Sequence, residues 1–238
     1  MLELRRVTDP NDPAIACFGR LQSTTYFEPD MLIPAQYIGR MLGWSDERRQ
    51  NVLLVIEDST LEPPQNRVVA GTLFHYFPQP HSGFSSYLAV AQPNRVQGLA
   101  RRLHDARLEL LMELSSGSLE GIFIDVVNPA RLSAEETEAE HAIGSDPMQR
   151  LEAFSKLGFK RVGMRYEQPT GGPDGGPVTN MDLLFCPRVP ADAVATQLVA
   201  DTMKAYWTGW LSEARAGREA LSLKARAGGD RVALLPLL

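Results

Sequence analysis

The sequence predicts a mixed α/β domain with a central sheet of about seven strands and flanking helices, followed by a helical C-terminal extension. Three observations carry this. β-type runs recur at 51–58, 67–77 and 84–90 with turn residues between them, the pattern of antiparallel neighbours. At Pro93 the period changes, and Leu99, Leu103, Ala106, Leu110 and Leu114 recur at helical spacing. A nearly continuous apolar run at 121–127 follows that helix, and strand, helix, strand is the crossover that makes two strands parallel.

The remaining elements follow in order. Residues 2–7 read as a short strand. Pro13 to about Thr24 reads as a helix, and Pro34 opens another, giving a helical cover broken at Pro29 to Pro34. The stretch 131–149 holds five acidic residues and one basic one and is expected at the surface, with at most a short helix stopped by Gly144 and Pro147. Residues 148–159 give a helix with Leu151, Phe154 and Leu157 inward and Gly158 as its left-handed end. Strands at 161–168 and 178–186, joined by a Gly- and Pro-rich loop, close the main body.

The expected division is a main domain over 1–188 and an extension over 189–238 too short to stand alone. In the extension, Val194, Leu198, Met203, Tyr206, Trp207, Trp210 and Leu211 suggest an amphipathic helix, with a weaker helical stretch near 212–226. The aromatic stripe reads as a packing surface or as the contact of a homodimer.

Composition excludes several classes. The chain has 238 residues, 44% hydrophobic, which is ample for a core and too apolar for wholesale disorder. Its net charge of -5, with 24 Lys and Arg against 29 Asp and Glu, gives no reason to expect nucleic acid. Cys17 and Cys186 form no disulfide framework, and the histidines lack metal-ligand spacing, so no metal is expected. There is no signal-peptide pattern, and no apolar run approaches the roughly 20 residues of a membrane span, so a soluble cytoplasmic protein is the expectation.

Chemistry concentrates where the strand 84–90 runs into the long helix. Amides of a first helical turn lack backbone partners, and the helix dipole adds positive potential there. Gly98 removes a side chain where an anion would approach, Ala100 keeps the next wall shallow, and Arg95, Arg101 and Arg102 surround the turn. The residues fit a phosphate or diphosphate site, and they fit equally a plain helix start with surface arginines. Neither a Walker loop nor a dinucleotide glycine pattern is present.

The segment Arg95-Val96-Gln97-Gly98-Leu99-Ala100 resembles the R/Q-x-x-G-x-G/A signature of the GNAT acetyltransferase superfamily. Phe154 to Phe159 resembles the same family's helix end, and the order of elements from Leu2 to about Cys186 is similar over roughly three quarters of the chain. The resemblance implies a sheet splayed at its centre, and acetyl-coenzyme A or a related acyl-coenzyme A as acyl donor. It puts the pyrophosphate on the amides of Val96, Gln97, Gly98, Leu99 and Ala100, with Gln97 and Gly98 at the centre and Arg95 and Arg101 beside them as further coenzyme-binding residues. Leu88, Ala89 and Val90 would meet the pantetheine arm, Asn128 would lie near it, and Phe154 would wall the coenzyme. The implied reaction is direct transfer to an amine of a small molecule or peptide, with no nucleic acid or membrane partner. The alternative is an acyl-coenzyme A-binding or regulatory module without turnover.

Two departures bear on catalysis. Phe154 stands where the family often has a tyrosine acid, and strand 84–90 holds no carboxylate. The candidate proton-transfer groups are therefore Asp125, an acid in an apolar strand, and Glu135, Glu136 and His141 in the acidic insertion. Such an insertion would favour a cationic acceptor; its plainer reading is a solvated loop. The resemblance also implies that Tyr26, Phe27 and Tyr37 help shape the acceptor pocket.

Overall fold

The computed structural model describes residues 1–26, 32–62, 67–95, 97–172 and 176–238. Phe27 lies outside them, as does part of the Gly- and Pro-rich loop. The elements are β1 (Leu2–Val7), α1 (Pro13–Ser23), α2 (Ala35–Gly43), β2 (Gln50–Asp58), β3 (Val68–Phe77), β4 (Ser82–Val90), α3 (Leu99–Leu114) and β5 (Gly121–Val127). There follow α4 (Ala134–Ala142), α5 (Pro147–Lys156), β6 (Lys160–Val162), β7 (Met181–Pro187), β8 (Ala193–Ala195), α6 (Thr196–Trp207), α7 (Glu213–Arg226) and β9 (Arg231–Leu235).

One mixed sheet of nine strands runs in the order β1-β2-β3-β4-β5-β7-β6-β9-β8. The first four strands form an antiparallel meander, and α3 carries the crossover that lays β5 parallel to β4. Helix α3 has its apolar stripe, with Leu99, Leu103 and Leu111, against the face that carries Val52, Phe74 and Ile122. Helices α1 and α2 cover the other face at the β1–β4 end, and α6 and α7 cover it at the β5–β9 end. Helix α5 ends as its sequence requires. Gly158 sits at φ +93°, with Phe159 N–H bonded to Phe154 O and Gly158 N–H to Ser155 O, which closes the last turn.

The pairing of β4 with β5 stops early. Only Ser82, Gly83 and Phe84 face Gly121, Ile122 and Phe123; beyond them the facing edges part. Each strand stays paired on its far side, β4 with β3 as far as Val90 and β5 with β7 as far as Val127. The cause is local: between Leu73 and Phe74 the register shifts, leaving Ser86 as an extra residue in β4. A bulge of this kind bends its strand away from the neighbour.

Two expectations are corrected and a third is narrowed. The strand expected over 161–168 ends at Val162, because the chain turns out of the ladder to bury Tyr166, and only Gln168 bridges back to Val178. The sheet exceeds seven strands because the extension is not purely helical: β9 pairs with β6 and β8 with β9. Of the aromatic stripe, left open between packing surface and dimer contact, Tyr206 and Trp207 face inward, with Trp207 fully buried and stacked on Tyr166, and Tyr206 stacked on Phe84 at 3.6 Å. Tyr206 and Trp207 are therefore unavailable as the surface of a dimer. Trp207→Ala is expected to cost about 3–5 kcal/mol, read as a lower urea midpoint. A loss under about 1 kcal/mol would mean that the tail is not part of the core.

Among the described residues no helix is long and apolar enough to cross a membrane, and no group of three potential ligands could hold a metal.

Candidate acyl-donor and acceptor cleft

A cleft of about 1680 Å³ opens at the parted strands. One wall is built by the turn that leads into α3. Gly98 sits at φ +74° as the residue before the helix, a conformation that costs most other residues energy. The first bond of the helix runs from Arg102 N–H to Gly98 O. Among the described residues nothing accepts from the amides of Leu99, Ala100 and Arg101. A Cβ placed on Gly98 would meet no atom within 4 Å, so the space before these amides is open.

Of the residues expected to meet the coenzyme, Leu88, Val90, Arg95, Gly98, Leu99, Ala100, Arg101 and Phe154 line this cleft. Val96 lies outside the described residues. Gln97 is exposed beside the turn and off the lining, and Ala89 is buried in the core under α1. Two of the arginines are already in use: Arg95 reaches Val90 O at 3.3 Å and also Gly144 O, and Arg101 reaches Lys156 O. Asn128 lies off this lining. Its oxygen caps Ala130 N–H at 2.9 Å and its amide donates to Asp182 at 2.8 Å, so both ends of the carboxamide are committed. Phe154 is buried edge-on against Phe159 and offers no hydroxyl.

The acidic insertion is a real helix, α4, yet the groups expected to transfer protons, Glu135, Glu136 and His141, do not line the cleft. Glu135 and His141 are exposed and off the lining, and Glu136 is spent on a capping box with Ser133. Glu140 is the inward acid, and it is neutralised by Arg150 at 2.7 and 3.0 Å. The insertion thus gives no basis for a cationic acceptor.

Asp125 does line the cleft. Its place on β5 turns it to the α6 face, where the Tyr166 hydroxyl donates to it at 2.8 Å. Burial pushes its pKa up to about 6, against the opposing effect of the Tyr166 bond.

Tyr26, expected at the acceptor pocket, is joined at this site by several groups that sequence reasoning did not assign to it. Asn51 Nδ2 donates to Met41 O at 2.7 Å, which leaves its oxygen to accept from Arg49 Nε and from His75 Nδ1, both at 2.8 Å. His75 is buried and therefore neutral, its pKa held well below the usual histidine value by desolvation. Its Nε2 lies 2.7 Å from Ser86 Oγ, and Ser86 lies 3.3 Å from the Tyr206 hydroxyl. The Tyr26 hydroxyl donates to Leu88 O at 3.3 Å, and both residues line the cleft. Burial raises the pKa values of Tyr26 and Tyr206, so both stay protonated donors. Of this group, Tyr26 was already expected at the acceptor pocket and Tyr206 stood in the aromatic stripe; for His75 the sequence signal was a histidine inside an apolar strand.

No protein-family model and no curated protein sequence matches the chain. Solved structures do. A GNAT-family protein from Bacteroides thetaiotaomicron is similar at a TM-score of 0.53 and 14% identity, over 79% of this chain and 89% of that one. The NatC complex bound to Gag peptide and CoA gives 0.52 at 14% identity, over 79% and 99%. Ard1 from Thermoplasma volcanium gives 0.51 at 14% identity, over 79% and 99%. With its crossover, its parted central strands and these likenesses, the chain has the fold of the GNAT acetyltransferase superfamily.

Proposed function

We propose that the protein transfers a short acyl group from acyl-coenzyme A to an amine held in the same cleft. The observation that carries the reading is the opening between β4 and β5 beside a helix start whose first amides have no partner among the described residues. The pyrophosphate would accept from the N–H groups of Leu99, Ala100 and Arg101, where the helix dipole favours an anion. The pantetheine arm would lie along Ser85 to Val90, whose edge toward β5 has no strand partner.

In the reaction the neutral amine nitrogen attacks the thioester carbonyl, the carbon–sulfur bond breaks, and the thiolate leaves with a proton. Holding both substrates together supplies proximity. Asp125 is the base: with a pKa of about 6 it is mostly ionised at neutral pH, yet basic enough to take the ammonium proton. Tyr26 is the acid toward sulfur, entering from the α1 side in place of the phenol missing at Phe154. Ser86 and Tyr206 orient the acceptor.

Calorimetry with acetyl-coenzyme A, coenzyme A and nucleotide controls tests the pocket, and release of free thiol with an amine panel tests turnover. Binding with release is expected. Binding without release across the panel would favour the noncatalytic module, the reading that Phe154 supports. Absence of binding would reject both.

A further inference from the structure

Resting on the transferase reading, we propose that the acceptor carries a carboxylate seated on Arg49, beside an apolar or aromatic body. Arg49 precedes β2 in a turn pinned by Asp46, whose Oδ1 accepts the N–H groups of Arg48 and Arg49 at 2.8 and 2.9 Å. Its Nε donates to Asn51 and its Nη1 to Tyr206 O at 3.2 Å, which sets the plane of the guanidinium. That plane lies 5.7 Å from the centre of the Phe77 ring and 6.0 Å from that of Tyr206. Among the described residues no carboxylate forms an ion pair with Arg49, and its Nη2 has no hydrogen-bond partner.

A largely buried cation without a counter-charge is costly unless something pairs with it. Burial holds its pKa down at about 10. None of the other acids of the lining touches the guanidinium: Glu140 belongs to Arg150, Asp125 accepts from Tyr166, Asp146 caps α5, Glu152 reaches Lys156, and Asp46, held by its own turn, acts on Arg49 only through space. Among the described residues no carboxylate contacts the Arg49 guanidinium directly, which leaves its outer edge to a ligand.

One guanidinium with a free edge suits a planar carboxylate. A phosphate dianion would ask for a second cation, and Arg95, Arg101, Arg150 and Lys156 are engaged on the α3–α5 side. The body of the acceptor is read from the mouth. Tyr37, Trp44 and Trp210 line it while remaining 48%, 69% and 38% exposed, an aromatic rim that suits a flat or apolar group. Arg49 and Asp125 enter from opposite sides of the parted strands, so the separation of amine and carboxylate is a variable of the test.

The probes are L-phenylalanine, L-tryptophan and a series of ω-amino carboxylates, each against the matched amine without its carboxyl group. Acetyl transfer is followed by thiol release. The wild type is expected to prefer at least one carboxylate-bearing probe by about tenfold or more in kcat/KM. Arg49→Met should bring that ratio close to one, mainly through KM, and Arg49→Lys should keep part of it. The thermal midpoint and coenzyme affinity of each variant report on folding.

Equal rates within every pair, or a preference that survives in Arg49→Met, would overturn the inference and leave the transferase reading standing. Where no probe reacts, the coenzyme A-loaded protein is titrated with the carboxylates. Binding lost in Arg49→Met supports the inference, and absence of binding overturns it. Failure of the coenzyme itself to bind would take the transferase reading down first, and this inference with it.

Discussion

Replacing Gly98 by valine is expected to weaken acetyl-coenzyme A binding by about tenfold or more, with a much smaller effect on stability. At φ +74° a β-branched residue is strained by roughly 1–2 kcal/mol. The chain relieves that strain by turning the first amides of α3 away from their common direction, or by bearing it with a side chain in the open space before them. Nothing in the protein lies within 4 Å of the new Cβ, so the added group meets ligand rather than core. In a chain of this size each kcal/mol lost lowers the thermal midpoint by about 2–4 °C. Calorimetry of the folded variant decides the matter: unchanged affinity would remove the diphosphate site from the turn, and with it the donor.

Asp125→Asn is expected to lower turnover by a factor of about 10²–10⁴ while leaving acetyl-coenzyme A binding intact. Wild-type kcat/KM should rise with pH through about 6, as the carboxylate ionises, and the variant should lose that limb. Stability moves the other way. The folded pKa is raised from 3.8 to about 6, so the group's contribution is complete below 3.8 and is lost as pH rises through 6. At pH 8 the charged form therefore costs the wild type on the order of 2–3 kcal/mol, which a neutral asparagine that still accepts from Tyr166 would recover. A variant that is slower and at least as stable would mark a functional carboxylate. A variant destabilised at pH 8 with an unaltered pH profile would mark a structural one.

Local patterning made much of the fold legible. Strand β4, the turn with Gly98 and the helix α3 follow from alternation, a period change at Pro93 and leucines at helical spacing, all within neighbouring residues. The end of α5 at Gly158 was legible for the same reason. The acidic stretch, left open between proton-transfer groups and a solvated loop, lies largely at the surface. A capping box takes Glu136 and a buried pair with Arg150 takes Glu140, partners that charge counting does not reveal. The partners of Asn128, a short cap and Asp182, were equally invisible in the sequence.

The sequence by itself determined the order of elements, the central crossover and a glycine where an anion would approach. Only the tertiary structure decided how the strands open and which side chains stand around the opening. Ser86 becomes an extra residue only against the register of β3, so the parting of β4 from β5 exists in the pairing and not in either strand alone. Arg49 and Tyr206 are 157 residues apart and meet because α6 folds back over β4. A pattern with a period of two or 3.6 residues carries information about its own element's faces. Contacts between distant elements depend on how those faces are packed together, which no local period records.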